Sequence, residues 1–198
     1  MVLKNSIRII GGHWRGRRIA FDATTMVRPT PDRVRETLFN WLMHHIAGAR
    51  CLDLFTGSGI LALEALSRGA ERVVCLDNDP KVVKTLSLAV ELLKPKENAF
   101  SLIQADALQW LKKPMAAHQP LEVPFDIIFV DPPYLANFWQ SCLTLIQQGG
   151  WLVEDGLVYL ESDKPLMNDK ALAEAGFTTH RELHAGSVYA YLIKQKHS

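Results

Sequence analysis

Residues 125–134 read FDIIFVDPPY, a mainly apolar run from Phe125 to Val130 that ends in Asp131-Pro132-Pro133-Tyr134. Two successive prolines remove two backbone donors and fix two φ angles, so a strand stops there and the residues beyond it are held in one shape. A carboxylate and an aromatic ring are thereby kept at a fixed spacing. By itself the element is equally a strand stop with Tyr134 as a half-buried anchor. What the pair is held for depends on the rest of the chain.

A second set of candidate residues lies upstream. The strand-like RCLDLF runs into Thr56-Gly57-Ser58-Gly59-Ile60-Leu61-Ala62, which opens a helical pattern. Glycines at such a junction let the backbone turn sharply and approach a ligand closely. Asp77 ends the next strand-like run, 20 residues after Gly57, where an acid accepts hydrogen bonds from two ribose hydroxyls. Two cofactors satisfy this much. Gly57-x-Gly59-x-x-Ala62 fits the dinucleotide fingerprint of NAD, and S-adenosylmethionine (SAM) also binds such a loop. Asp53, just before the loop, favours SAM: an acid there suits an ammonium and a sulfonium and is poorly placed beside a pyrophosphate. Asp106, after a third strand-like run, is placed to accept from an adenine amino group. With Phe55, Asn78 and Ala107 beside them, Asp53, Gly57, Gly59, Asp77 and Asp106 form the candidate cofactor set.

These acids fall at successive strand ends, and the segments around them say what sheet must hold them. From Arg50 onward, strand-like and helix-like stretches alternate four times: RCLDLF with ILALEALSRG, ERVVCLD with PKVVKTLSLAVELL, AFSLIQ with ALQWLKK, and FDIIFV with LANFWQSCLTLIQQ. Four βα units in succession imply a mainly parallel, doubly wound α/β sheet with helices on both faces. Val83, Leu86, Val90 and Leu93 keep a helical period, whereas VVCL and IIFV are short β-rich runs. The last third predicts three strands, GLVYLES, GFTTHREL and SVYAYLIK, with a helix near Asn168–Ala175. The final two strands form an antiparallel hairpin about His184-Ala185-Gly186.

Ahead of the sheet, IRIIGGHWRGRRIAF carries turn signals at Gly11-Gly12 and Gly16 and predicts a small β-ribbon. RPTPDRVRETLFNWLMHHI then opens a helix, with Thr30 as N-cap and Pro31 at the first helical position. Its packing stripe is Val34, Leu38, Trp41, Leu42 and His45, leaving Arg33 and Glu36 off it. The chain therefore divides into an N-terminal ribbon, residues 1–30, and a main domain, residues 31–198. Pro114–Pro124, with three prolines, is expected to be a surface loop.

The chain has 198 residues, 48% of them hydrophobic, enough for one well-buried domain plus an appendage. No apolar run reaches the roughly 18 residues of a membrane helix, and MVLKNSIRII lacks the continuous apolar stretch of a signal peptide. Cys51, Cys75 and Cys142 read as buried reduced thiols of a cytoplasmic protein. The histidines show no metal pattern: His180 and His184 are four apart, but on a strand and turn, so no metal site is expected. The net charge of +1 is uneven. Residues 1–36 hold eight Lys/Arg against three acids, a net of +5, and the remainder holds 14 against 18, a net of −4. A basic arm on a mildly acidic body points to an anionic partner touched by the arm, or else to a solvated arm rich in arginine. Trp41 and Trp110 sit on helical stripes and read as core; Trp14, between Gly12 and Arg15, is open to an RNA contact.

With Asp53-Leu-Phe-Thr-Gly-Ser-Gly59, Asp77, Asp106 and Asp131-Pro-Pro-Tyr134 in this order, the chain resembles the class I SAM-dependent methyltransferases. That resemblance implies a seven-stranded sheet with a terminal antiparallel strand. IRIIGGHWRGRRI, RPTPDRVRETLFNWL, LDLFTGSGILALEALSRGA and FVDPPY together resemble the bacterial 16S ribosomal RNA guanine-N2 methyltransferases that modify guanine 966 in conventional rRNA numbering. The resemblance covers nearly the whole chain. It implies that Asp53, Gly57 and Gly59 face the methionine part of SAM, Asp77 the ribose and Asp106 the adenine end. The basic arm, with Arg15, Arg17 and Arg18, is expected from its charge to meet that RNA, and the resemblance implies that Arg33 or Arg35 touches substrate or cofactor.

In that setting the opening element has a purpose. The guanine amino group donates its lone pair into the ring and is a poor nucleophile. Ionised Asp131, an acceptor only, would with the Pro132 carbonyl accept both amino hydrogens and turn the lone pair toward the methyl group. The approach must be in line, at about 3–3.5 Å. Tyr134 would stack on an extruded base, worth roughly 1–3 kcal/mol. Pro132 and Pro133 fix the spacing. The expected partner is 16S rRNA, within small-subunit assembly particles, bound by a monomer. Two alternatives stand beside this reading: an adenine-N6 methyltransferase on DNA or RNA, and a non-catalytic RNA-binding module.

Overall fold

The computed structural model describes residues 6–21, 30–118, 124–132, 138–165 and 169–196. Strands β3 (Arg50–Asp53), β4 (Arg72–Asp77), β5 (Phe100–Gln104), β6 (Phe125–Val130), β7 (Leu152–Ser162), β8 (Phe177–Ala185) and β9 (Val188–Gln195) form one sheet in the order β5-β4-β3-β6-β7-β9-β8. The five strands from β5 to β7 run parallel, and β9 is antiparallel to both β7 and β8. This is the doubly wound seven-stranded sheet expected, closed by the hairpin at its end. A separate pair, β1 (Ser6–Arg8) and β2 (Arg18–Ala20), forms the N-terminal antiparallel ribbon.

Helices α1 (Asp32–Trp41), α2 (Ile60–Ser67), α3 (Pro80–Leu93), α4 (Ala107–Lys112), α5 (Phe138–Gly149) and α6 (Asp169–Glu174) cover the sheet. Strand side chains alternate between faces, and the core divides accordingly. Leu52, Val74, Ile128 and Leu160 pack with Trp110, Leu143 and Ile146 of α4 and α5. Cys51, Cys75, Phe129 and Tyr159 pack on the other side with Val34, Leu38 and Phe39 of α1 and Ala62 and Ala65 of α2. The three cysteines are buried and free. Trp110 is core; Trp41 is half-buried against its cluster.

Three expectations change. The stripe of α1 buries Val34, Leu38, Phe39 and Leu42, while His45 is exposed beyond the helix end. Helix α1 begins at Asp32 with Pro31 as its N-cap and no side-chain cap bond, because the Thr30 hydroxyl is used elsewhere. Trp14 is buried with Ile7, Ile9 and Ile19 of the ribbon against Ile60, Leu63 and Leu86 of α2 and α3, so it is a core residue and not an RNA contact. A ribbon of two three-residue strands cannot stand alone in water. Its apolar side, with Trp14 as the largest member, has to be covered.

Candidate active site

The strand order reverses direction between β3 and β6: the chain builds β4 and β5 on one side of β3, then crosses to place β6 on the other. Ligands of open α/β sheets bind at such a switch point, beyond the carboxyl ends of the strands. Asp53 is the last residue of β3, Asp77 the last of β4, Asp106 lies two residues past β5, and Asp131 one past β6. Asp53 and Asp77 follow Cys51 and Cys75 by two, and Asp131 follows Phe129 by two. The alternation therefore brings these three acids to the same face of the sheet.

The loop after β3 is built around Asp77. Its Oδ2 accepts the backbone N–H of Gly57 at 2.9 Å, and its Oδ1 accepts that of Asp79 at 2.9 Å. Each oxygen keeps a lone pair for a further donor. Gly57 and Gly59 have φ of 52° and 75°, in the left-handed region that glycine adopts without strain. At Gly59 space also forbids a side chain, since a Cβ would run into Leu86. The turn closes with Gly59 N–H donating to the Thr56 carbonyl and Thr56 Oγ1 donating to the Asp53 carbonyl.

Asp53 is buried, and its carboxyl accepts the backbone N–H groups of Phe55 and Ala62. Burial, with the Asp77 charge adding to it, pushes its pKa up to about 7. Such a carboxyl gains from any cation brought against it. A pyrophosphate beside Asp53 and Asp77 would meet two like charges, so the acids fit SAM and not NAD. Farther along the edge, Asp106 is exposed and caps α4, with Oδ1 accepting Gln109 N–H at 2.8 Å. Asn78 is exposed, Ala107 buried, and Phe55 half-buried edge-on to Phe138 at 5.7 Å between ring centroids. Asp106, Ala107, Asn78 and Phe55 thus lie just beyond the carboxyl ends of β5, β4 and β3, the strands around the glycine turn.

Asp131 is half-buried and Pro132 buried; Pro133 and Tyr134 lie outside the described residues. The Asp131 pKa is raised well above the usual carboxylate range by burial, then by the charges of Glu161 and Asp53. Glu161, whose charge reaches Asp131, is a neighbour of this strand end that the sequence reading missed. It is buried near the end of β7, accepts the Tyr159 hydroxyl at 2.8 Å, and is bonded by the Thr30 side chain. That bond is why Thr30 does not cap α1.

The arginines separate into two groups. Arg15, Arg17, Arg18 and Arg33 are exposed, with Arg17 reaching the Leu92 carbonyl and Arg18 the Ser6 hydroxyl. Arg35 is fully buried and cannot touch RNA or cofactor from where it sits. Its guanidinium bonds Glu64 at 2.7 Å, Asp32 at 2.6 Å, and the carbonyls of Thr30 and Arg8. Glu64 in turn accepts Ile10 N–H, Gly11 N–H and Arg68 Nε. This network fastens the ribbon and the segment before α1 to α2.

A switch-point edge of acids around a glycine turn, on a seven-stranded sheet ending in an antiparallel hairpin, defines a class I SAM-dependent methyltransferase. Residues 7–194 match the family described as conserved hypothetical protein 95. The chain is 42% identical over 166 residues to the ribosomal RNA small subunit methyltransferase D of Haemophilus influenzae, covering 83% of each chain. It is 40% identical over 190 residues to the protein of the same name from Escherichia coli K12, covering 96% of this chain and 90% of that one. A solved Escherichia coli structure, yhhF, provisionally assigned as a methyltransferase, superposes with a TM-score of 0.83 at 36% identity, over 98% of this chain and 100% of that one. The chain belongs to this methyltransferase family.

Proposed function

We propose that this protein methylates the exocyclic N2 amine of a guanine in 16S ribosomal RNA, at a position of the 966 type, within small-subunit assembly particles. The relatives' small-subunit RNA name supports the RNA class. The observation that carries the chemistry is Asp131, half-buried one residue beyond β6 and two past Phe129, the register partner of Asp53, whose charge it feels.

SAM, when bound, supplies an electrophilic methyl group. Everything else falls to this chain. Asp53 and the Gly57–Gly59 turn hold the methionine end, Asp77 the ribose and Asp106 the adenine. Asp131 and the Pro132 carbonyl accept the amino hydrogens of the guanine and direct the nitrogen lone pair. Positive charge developing on that nitrogen is stabilised by a carboxylate already in place. Pro133 and Tyr134 complete the substrate side, Tyr134 by stacking on the base.

The exposed Arg15, Arg17 and Arg18, with Arg33, form the RNA-facing surface. The chain acts as a monomer in the cytoplasm, where that RNA is assembled. Among the described residues no helix is long and apolar enough to cross a membrane. Incubation with tritiated SAM and 16S rRNA or small-subunit particles, followed by nucleoside digestion, tests the reading. The expected product is N2-methylguanosine; N6-methyladenosine or no transfer contradicts it.

A further inference from the structure

The parallel register of β6 and β7 ends at Val130 opposite Leu160, so the next residues along the two strands, Asp131 and Glu161, lie side by side. Glu161 follows Tyr159 by two and shares its sheet face, the face of Phe129 and Asp131. Burial leaves Glu161 only 4% exposed, and the Tyr159 hydroxyl holds it at 2.8 Å. From the other side it is held by Thr30, itself 3% exposed. The Thr30 carbonyl is fixed in turn by Arg35 Nε at 3.1 Å. A strand end with no function does not need a buried carboxylate clamped from two elements.

We propose that Glu161 is a positioning residue for the methyl-transfer step: its charge beside Asp131 makes the ionised pair hold strongly the one proton the amine must lose. The inference rests on the proposed amine chemistry. As the nitrogen bonds to the methyl carbon, the sulfur keeps the electron pair of the bond that breaks and becomes a neutral thioether. The methylated nitrogen is then cationic and must release one N–H proton. An isolated surface carboxylate is a weak base for it. Two neighbouring carboxylates that cannot both ionise easily hold a proton far more strongly.

Among the described residues, few groups face the pair. Asp53 on β3 adds negative charge to Asp131, Tyr159 on β7 donates to Glu161, and Thr30 ahead of α1 bonds it without charge. Strand β9 presents Ala190 opposite Glu161. Burial raises the pKa of both acids, and the Glu161 charge further resists ionisation of Asp131. The two therefore titrate as a unit.

Single-turnover transfer at saturating SAM, followed against pH, tests the proposal. In the wild type the rate should fall on the acid side as the ionised pair takes up its first proton. Glu161→Gln keeps the size and the Tyr159 contact but removes the charge, so that limb should move to lower pH by about one unit or more. Glu161→Asp should restore part of the wild-type position. A rate lowered equally at every pH, with the limb unmoved, overturns the proposal. Carbon-13 carboxyl titration of the wild-type protein, with Asp131→Asn for assignment, decides the matter even if Glu161→Gln folds badly. Two coupled steps are expected for Asp131, and a single step at the ordinary carboxylate value overturns the proposal. An unmoved limb with N2-methylguanosine still formed sinks this inference alone, whereas a different product sinks the reading beneath it.

Discussion

Gly57 donates its backbone N–H to Asp77 Oδ2 at 2.9 Å, so the acid at the end of β4 fastens the turn that comes after β3. The residue proposed to hold the ribose also shapes the loop around the methionine end. Asp77→Ala should weaken SAM binding by about 1.5–3 kcal/mol, the range for hydrogen bonds to a charged group, or roughly 10–150-fold in Kd. Calorimetry on the purified chain checks it. Binding of NAD more tightly than SAM would overturn the cofactor assignment.

Asp53 sets stability against binding. Its pKa is raised to about 7 by burial and by Asp77, so the folded state resists ionisation where the unfolded chain ionises freely. The stability contribution is therefore lost as pH rises from about 4 through about 7. Asp53→Asn should raise the apo melting temperature at pH 8, by roughly 2–4 °C per kcal/mol gained, while weakening SAM binding. In the wild type, SAM binding near pH 6 should release protons, because the cation favours the ionised carboxylate. Calorimetry in buffers of different ionisation enthalpy measures that release. Asp53→Asn should abolish it.

The ribbon has an apolar side and a basic side, with different mutational signatures. Arg15→Ala, Arg17→Ala and Arg18→Ala together should leave SAM binding nearly intact and lower RNA affinity. The slope of log K against log salt should shrink by about two, at roughly 0.7–0.9 for each phosphate no longer neutralised. An unchanged slope shows that these side chains only decorate the surface. Trp14→Ala should instead destabilise the fold by about 3–5 kcal/mol as a core truncation, visible in denaturant unfolding.

Arg35 belongs with the core. Removing it leaves Glu64 buried without its main countercharge, and Arg35→Ala should cost about 3–5 kcal/mol of stability. Arg33→Ala, on the exposed side of α1, should leave the unfolding midpoint close to wild type. Denaturant titration of the two variants separates a buried strut from a surface contact.

The sheet and its ligand edge were legible because they obey local rules. Each of the first four β-rich runs of the sheet has an acid at its end or within two residues beyond it, and the period of two puts Asp53, Asp77 and Asp131 on one face. What escaped was long-range. A buried Arg35 and an exposed Arg33 look alike in RPTPDRVRETLF, since the difference lies in Glu64, 29 residues away. Thr30 satisfied every local requirement of a helix cap, and the tertiary bond to Glu161 overrode it. Glu161 itself sat in GLVYLES as an ordinary polar residue at a strand end. The one signal available was that β7 must run parallel to β6, which puts its last residues at the same edge as Asp131. Trp14 was read from its arginine neighbours, whereas its partners Leu63 and Leu86 lie far along the chain.

The most direct test of the account is the single-turnover rate of methyl transfer to 16S rRNA by Asp131→Ala with SAM saturating. In the proposed arrangement the carboxylate meets the amine and not the cofactor, so SAM affinity should stay near wild type. The transfer rate should drop on the order of a hundredfold or more, as when a preorganised electrostatic group is removed. Tyr134→Ala should weaken base capture by about 1–3 kcal/mol, with Tyr134→Phe mild because the stacking face remains. If Asp131→Ala methylates guanine at close to the wild-type rate, the amine-orienting role at the end of β6 is wrong.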